Sequence, residues 1–263
     1  MSDEEPRVLT ERRGSILLIA LNRPAKRNAA DVRMLRELAV AYGEFARDDE
    51  ARVAVVHAVG DHFTGGLDLA DIGPRMASGD LDLIPEGGID PWQLSGPPLD
   101  KPVIVAVQGT CLTLGIELIL AADLAIAADS TRFGQIEVAR AILPFGGATI
   151  RFPRVAGWGD AMRWMLTGDL FDAAEAHRMR LVQEVVPHGT QLDRAIELAE
   201  RIAAQAPLAV SATLANAELA RTVGPAAAAA RLMPELRRLA ASEDAGIGMR
   251  AFLTRTAPNY LGR

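Results

Sequence analysis

KPVIVAVQGTCLTLGIELIL, residues 101–120, is the stretch of sequence that decides the predicted fold. A run of β-branched residues follows Pro102 and predicts a buried strand. Gly109 interrupts this run, and residues 114–120 then predict the first turns of a buried helix that contains one acid, Glu117. The first amides of a helix have no partner within it and can bind a negatively charged oxygen. We therefore predict an oxyanion hole at this turn, with a carboxylate within about one helical turn of it.

The composition is typical of a soluble globular protein, and the 263 residues allow one or two domains. A net charge of −6 argues against nucleic acid or an anionic membrane as the main partner. The single cysteine, Cys111, favours a reducing compartment, and the acidic start at residues 1–6 does not resemble a secretory signal. The longest apolar segment, residues 112–128, contains two acids and is too short to span a bilayer. We therefore expect a cytoplasmic location.

The rest of the chain alternates between short apolar runs and helical segments. The pattern predicts a helix over residues 31–47 and a strand over 53–58. Residues 72–102 are rich in Gly, Pro and Asp, which predicts a long irregular lid or loop. From about residue 188 the chain becomes Ala-rich and helical, and we expect part of it to pack on the core or on another subunit. Six apolar residues of the irregular segment could line a pocket or anchor the loop. They are Met76, Leu81, Leu83, Ile84, Trp92 and Leu94.

Two acids in apolar surroundings are the candidate catalytic groups. The sequence contains no phosphate-binding P-loop and no nucleophile elbow, and its four histidines do not group at metal-ligand spacings, so we predict no metal site. Glu117 and Glu137 each lie beside a Gly-containing turn, where either could simply be an acid that stabilises a helix start. Two such acids, together with candidate amide clusters around Leu67 and Leu114, favour acid–base chemistry beside an oxyanion hole.

Six short motifs follow one another along the chain, each weak by itself. They are LNRP at 21–24, FTGGLDL at 63–69, KPVIVAVQG at 101–109, GIEL at 115–118, FGQIE at 133–137 and TGDLFDAAEA at 167–176. Their combination and order resemble the crotonase (enoyl-CoA hydratase/isomerase) superfamily over nearly the whole chain. The resemblance implies an α/β fold with a spiral of ββα turns at residues 1–187. It also implies a C-terminal helical region at residues 188–263 that forms a homotrimer or a hexamer made of two trimers.

The resemblance implies an acyl-CoA thioester as substrate, so that coenzyme A belongs to the substrate and no separate cofactor is needed. By position, the oxyanion amides of the family fall on Leu67 and Leu114, and the hydratase glutamates fall on Glu117 and Glu137. Both acids are retained, which points to hydration of a 2-enoyl-CoA to a 3-hydroxyacyl-CoA, a reaction of fatty acid β-oxidation. The sequence does not fix which glutamate is the acid and which is the base. Isomerisation of the double bond with one acid and non-catalytic acyl-CoA binding are the alternatives.

Further substrate contacts are also carried over by position. Arg23, Lys26 and Arg27 are candidates for the phosphates of CoA, although a solvated charge cluster explains them equally well. The family often has a small residue at the position of Leu67 and glycines at the positions of Thr113 and Leu114. The two leucines of this chain should therefore narrow the site. The resemblance implies that eight residues contact the substrate or CoA: Arg23, Ala25, Lys26, Gly66, Asp68, Leu69, Phe252 and Arg255. Of these, Phe252 and Arg255 would come from the final helix of a neighbouring subunit.

Overall fold

The computed structural model describes residues 5–79 and 81–263. Residues 1–4, which belong to the acidic start, and Asp80 in the predicted lid lie outside the described residues. The described part of the chain forms strands that we number in chain order. They are β1 (Val8–Arg13), β2 (Ile16–Leu21), β3 (Val53–Ala58), β4 (Val103–Val107), β5 (Thr110–Leu112), β6 (Leu124–Ala128), β7 (Arg132–Gly134), β8 (Leu170–Asp172) and β9 (Glu184–Val186).

The helices are interspersed among these strands as far as β9 and then follow one another. Two short 3-10 turns, Pro24–Lys26 and Glu137–Arg140, lie between the main elements. The helices are α1 (Val32–Arg47), α2 (Leu69–Ser78), α3 (Leu114–Ala121), α4 (Ala148–Ala156), α5 (Trp158–Thr167), α6 (Ala173–Arg178), α7 (Gln191–Ala203), α8 (Pro207–Thr222), α9 (Pro225–Ala240) and α10 (Glu243–Thr254). The predicted α/β class and the helical C-terminal region are thereby confirmed.

The main sheet is a six-stranded layer in the order β1-β2-β3-β4-β6-β9, in which only the β1–β2 pair is antiparallel. Its central strands are buried on both faces. Ile104 of β4 belongs to a cluster with Ala195 and Ala199 of α7, whereas the next residue, Val105, belongs to the larger cluster that includes Leu38 of α1. Because both faces are covered by helices, these strands consist of continuous apolar runs rather than alternating ones.

A second sheet of three short strands positions the helix that follows β4. β5 pairs in parallel with β7, and β7 pairs antiparallel with β8. The chain therefore passes from β4 in the main sheet to β5 in the second sheet and then into α3. Two isolated parallel bridges, Thr64 with Cys111 and Ala30 with Leu67, place the turn after β3 beside this connection. The two predicted amide-bearing turns thus lie side by side.

The element boundaries differ from the prediction in two places. The irregular segment was predicted to begin at residue 72, and this is wrong because α2 continues to Ser78. Gly73 and Pro74 indicate a break in the helix, but burial of Ile72 in the core outweighs the hydrogen bond that Pro74 cannot make. The apolar run at residues 181–186 predicts one final strand, but β9 comprises only Glu184–Val186, because residues 181–183 form a bend before it.

The C-terminal helices differ in how they contact the core. α7 packs on the main sheet, whereas no residue of α8 is buried and Ala228 is the only buried residue of α9. Large apolar side chains of α9 and α10 are accordingly exposed in the single chain. These side chains are Leu232, Met233, Leu236, Met249, Phe252 and Leu253. Within the described residues, no helix combines the length and apolarity that a membrane span requires.

Candidate active site

Two turns meet at the amino-terminal end of α3. The backbone N–H of Thr64 donates to the carbonyl of Thr110 (2.9 Å), and the N–H of Leu112 donates back to the carbonyl of Thr64 (3.1 Å). Beyond these bonds the turns touch through Gly66, where a Cβ would lie 2.5 Å from Oγ1 of Thr113. Only glycine fits at that position, since its φ of +96° is also in the left-handed region.

The amides of Leu67 and Leu114 are available to a ligand. Among the described residues, neither N–H has a hydrogen-bond acceptor, and both leucines line one cavity. Leu114 is the first residue of α3, so its N–H has no acceptor within the helix. The preceding residue, Thr113, does not cap the helix with its hydroxyl, because its backbone adopts φ 49° and ψ −111°. The structure therefore brings the two residues that carry the predicted oxyanion amides to the same cavity.

Glu117 lies in the first turn of α3 and is 3% exposed. Its Oε1 accepts a hydrogen bond from the N–H of Ala148, the first residue of α4 (3.0 Å). Burial raises the pKa of Glu117 to about 7, although the amides of Ala148 and Gly146 and the charge of Arg151 oppose this increase. A carboxyl group with this pKa can exchange a proton near neutral pH.

Glu137 begins the 3-10 turn that follows β7 and is 7% exposed. Gln135 donates from Nε2 to Oε1 of Glu137 (2.9 Å), while Oε2 is buried and has no partner among the described residues. Burial raises the pKa of Glu137 to about 7, and the nearby charge of Glu117 contributes in the same direction. Both residues line the same cavity, and the negative charge of Glu117 disfavours ionisation of Glu137, so their protonation states are coupled.

The cavity has a volume of about 510 Å³ and is closed on one side by residues 81–95. Trp92 anchors this segment, because its indole N–H donates to the carbonyl of Leu114 (3.2 Å) while its ring lines the cavity. Of the six apolar residues that were ambiguous in the sequence, all but Met76 line the cavity, and Met76 packs against the core. The other apolar side chains of the lining are Leu35, Leu69, Ile136, Ile142 and Phe145.

The residues carried over as CoA contacts lie in different environments. The Nη1 atom of Arg23 donates to Asp68 (2.7 Å) and to the carbonyl of Ala29 (2.9 Å), and this guanidinium holds the pKa of Asp68 below its ordinary value. Ala25 and Lys26 are exposed on the turn Pro24–Lys26. Arg23 and Asp68 are therefore paired with each other near the start of α2.

Phe252 and Arg255 lie away from the cavity of their own chain. Phe252 is 80% exposed near the end of α10, and Arg255 is the exposed residue that ends this helix. Neither residue lines the cavity that contains the two glutamates. Neither side chain therefore contacts a ligand that is confined to the cavity of the same chain.

Arg151 is a site residue that the sequence analysis did not identify. It is 6% exposed, and its Nη2 donates to the carbonyl of Gln93 in the segment that closes the cavity (3.0 Å). A Cβ on Gly147 would lie 2.6 Å from Nη1 of Arg151, and a Cβ on Gly146 would lie 2.5 Å from Oε2 of Glu117. The two adjacent glycines thus separate a buried guanidinium from a buried carboxylate. The adjacent glycines were the available sequence signal, because such a pair permits close approach of side chains to the backbone.

The chain is similar to known proteins over nearly its whole length. The family model described as enoyl-CoA hydratase/isomerase matches residues 11–263. The enoyl-CoA hydratase EchA19 of Mycobacterium tuberculosis is 34% identical over 98% of this chain and 97% of its own length. The 2,3-dehydroadipyl-CoA hydratase of Escherichia coli is 32% identical over 97% of this chain and 99% of its own. A crystal structure of a probable enoyl-CoA hydratase/isomerase from Mycobacterium abscessus superposes with a TM-score of 0.96, at 56% identity over 98% of this chain and 99% of that one.

Proposed function

The chain belongs to the enoyl-CoA hydratase/isomerase family, and on this basis we propose that it hydrates a 2-enoyl-CoA thioester to a 3-hydroxyacyl-CoA. One observation supports hydration in particular: two buried carboxyl groups, Glu117 and Glu137, line one cavity together with the free amides of Leu67 and Leu114. Hydration requires a group that takes a proton from water and a group that supplies one to carbon. Both tasks suit carboxyl groups whose pKa values are near 7.

In the proposed reaction, water adds across the conjugated double bond of the thioester. The oxygen of water bonds to C3 as one glutamate accepts its proton, and the electrons of the double bond move toward the thioester oxygen. The amides of Leu67 and Leu114 stabilise the resulting enolate, and the loss of one such donor typically costs roughly 100- to 1000-fold in rate. Protonation at C2 by the other glutamate completes the addition. A leucine side chain leaves each backbone N–H in place.

The hydrogen bonds of the two acids support one assignment of base and acid. Glu117 accepts from the amide of Ala148, which favours its ionised form and suits it to deprotonate the water. Glu137 keeps one oxygen without a partner among the described residues, and this oxygen is available to orient the water and to deliver the proton at C2. Gln135 fixes the other oxygen of Glu137.

The remaining predictions concern the oligomeric assembly, the binding of CoA, the cellular location and the pathway. Assembly as a homotrimer or hexamer would cover the exposed apolar side chains of α9 and α10 and would bring Phe252 and Arg255 to a neighbouring cavity. Lys26 and Arg27 are exposed cations that could meet a phosphate of CoA, while Arg23 is already paired with Asp68. A cytoplasmic location, a role in β-oxidation and the absence of a separate cofactor stay predictions. The mass of the assembly in solution tests the trimer.

The loss of the conjugated-thioester absorbance when crotonyl-CoA is added tests the proposed reaction. Glu117→Gln and Glu137→Gln should each lower kcat by orders of magnitude while the affinity for butyryl-CoA persists. Glu44→Gln, which changes an exposed acid of α1, is the matched control and should leave kcat unchanged. Near-normal turnover in either test variant would remove that glutamate from the mechanism.

The same preparation distinguishes the two alternatives. Conversion of a 3-enoyl-CoA without uptake of water, with no loss of crotonyl-CoA absorbance, would identify an isomerase. Tight binding of acyl-CoA without either conversion would identify a binding protein.

A further inference from the structure

Apart from Glu117 and Glu137, the cavity wall is predominantly apolar. It combines residues of the segment that closes the cavity with residues that follow the 3-10 turn Glu137–Arg140. An apolar cavity of about 150 Å³ in another protein is large enough to bind benzene. A cavity of about 510 Å³ can therefore hold the reacting thioester and an acyl chain well beyond the four carbons of a crotonyl group. The apolar residues of these two segments are Leu81, Leu83, Ile84, Trp92, Leu94, Ile142 and Phe145.

The acids that line this wall already have partners. Oδ2 of Asp82 accepts a hydrogen bond from Nη1 of Arg36 (2.7 Å). Asp90 accepts from three backbone amides within residues 92–95, at 2.9, 2.9 and 3.0 Å. Apart from Glu117 and Glu137, the described lining therefore offers no unpartnered carboxylate to a positively charged acyl group.

Among the described residues that line the cavity, one is a cation, and water can reach it. Arg140 ends the 3-10 turn and is exposed, and Nη1 donates to the neighbouring carbonyl of Ala139 (3.2 Å). A carboxylate that meets an exposed arginine gains little, because both charges are well solvated when apart. A carboxylate placed against the apolar wall would lose its water without gaining a partner.

From these contacts we infer that the site selects an uncharged apolar acyl chain of medium length and discriminates against an acyl group that ends in a carboxylate. This inference rests on the proposed function, because it assumes that the thioester lies at Leu67 and Leu114. It also separates this chain from its Escherichia coli relative, the 2,3-dehydroadipyl-CoA hydratase, whose named substrate carries a terminal carboxylate. Each additional buried methylene should raise the affinity about fourfold.

Calorimetric titration with saturated acyl-CoA thioesters tests the selectivity without requiring turnover. Octanoyl-CoA should bind at least about tenfold more tightly than butyryl-CoA, and adipyl-CoA at least about tenfold more weakly than hexanoyl-CoA, which has the same number of acyl carbons. Equal affinities in either pair, or a reversed order, would overturn the inference. If the affinities follow the predicted order but no thioester is hydrated, the inference is supported and the proposed reaction is refuted. If the enzyme hydrates crotonyl-CoA but the affinities within each pair are equal, the proposed reaction is supported and the inference is refuted.

Two variants locate the selectivity in the cavity wall. Ile84→Trp fills part of the cavity and should weaken octanoyl-CoA at least about tenfold while butyryl-CoA is unaffected. Leu9→Trp, at an exposed apolar position of β1, is the matched control and should change neither affinity. Arg140→Gln should leave the ratio of adipyl-CoA to hexanoyl-CoA affinity unchanged. A selective loss of adipyl-CoA binding in that variant would show that Arg140 recognises a terminal carboxylate, contrary to the inference.

Discussion

Gly146→Ala should displace the carboxylate of Glu117, the proposed catalytic group, without changing the side chain of Glu117 itself. A Cβ at this position would lie 2.5 Å from Oε2 of Glu117, 2.9 Å from its Cδ and 3.0 Å from Cδ1 of Trp92. Ordinary contacts begin at 3.4 Å, so the carboxylate or the turn before α4 must move by about 0.9 Å. The backbone φ is not in the left-handed region, so the effect is due to contact alone.

The magnitudes follow from that displacement. Insertion of one methyl group into a packed interior typically costs about 1–3 kcal/mol of unfolding free energy. A misplacement of about 1 Å at a reacting group can cost about 100-fold in rate. We therefore expect kcat with a 2-enoyl-CoA to fall about 100-fold, while urea unfolding shows a loss of about 1–3 kcal/mol and the affinity for butyryl-CoA changes little.

Gly159→Ala is the control for this experiment. Gly159 lies in α5, and a Cβ there would meet nothing within 4 Å. This variant should be more stable by up to about 1 kcal/mol, because alanine favours a helix over glycine, and its kcat should equal that of the wild type. Wild-type kcat in the Gly146 variant would refute the assignment of Glu117 to the chemistry, or the position of its carboxylate against this turn.

Four further predictions concern the same site. Because burial raises the pKa values of Glu117 and Glu137 from 4.5 to about 7, the folded state retains protons that the unfolded state releases. Their contribution to the free energy of unfolding should be fully present below pH 4.5 and be lost as the pH rises through about 7, which urea titrations would measure. The plot of kcat/KM against pH should be bell-shaped with both limbs near neutrality, and a flat profile across this range would contradict the coupled pair. Arg151→Met removes a hydrogen bond to Gln93 and a positive charge that lowers the pKa of Glu117, so the limb of the pH profile that is due to Glu117 should move to higher pH. Arg151→Lys keeps the charge and should leave this limb where it is in the wild type. An unmoved profile in both variants would limit Arg151 to a structural role. Trp92→Phe removes the indole N–H that holds the closing segment to α3, and urea unfolding should show a loss of about 0.5–1.5 kcal/mol in the free energy of unfolding. An unchanged free energy of unfolding would show that this hydrogen bond does not anchor the segment.

The sequence was most informative where burial follows from a local pattern. The apolar run of β4 is buried at every position, and the helix predicted over residues 31–47 is α1, with Asp31 accepting from the amide of Met34 at its start (2.8 Å). The pattern was least informative for α2, because contacts of Ile72 with the core outweigh the local effect of Gly73 and Pro74. Local propensity is a weak guide when a distant contact supplies more free energy.

The candidate site likewise combines features that the sequence predicts with features that only the tertiary structure shows. The sequence determined that Glu117 and Glu137 lie in apolar surroundings beside glycine-containing turns, because residue type and spacing fix which side chains a helix or turn buries. Only the tertiary structure decided that both acids line one cavity with the two free amides and that Arg151 joins α4 to the segment that closes the cavity. These contacts join residues far apart in the chain. Their distances depend on the pairing of strands and on the path of the loops, and neither is encoded in a local pattern of residues.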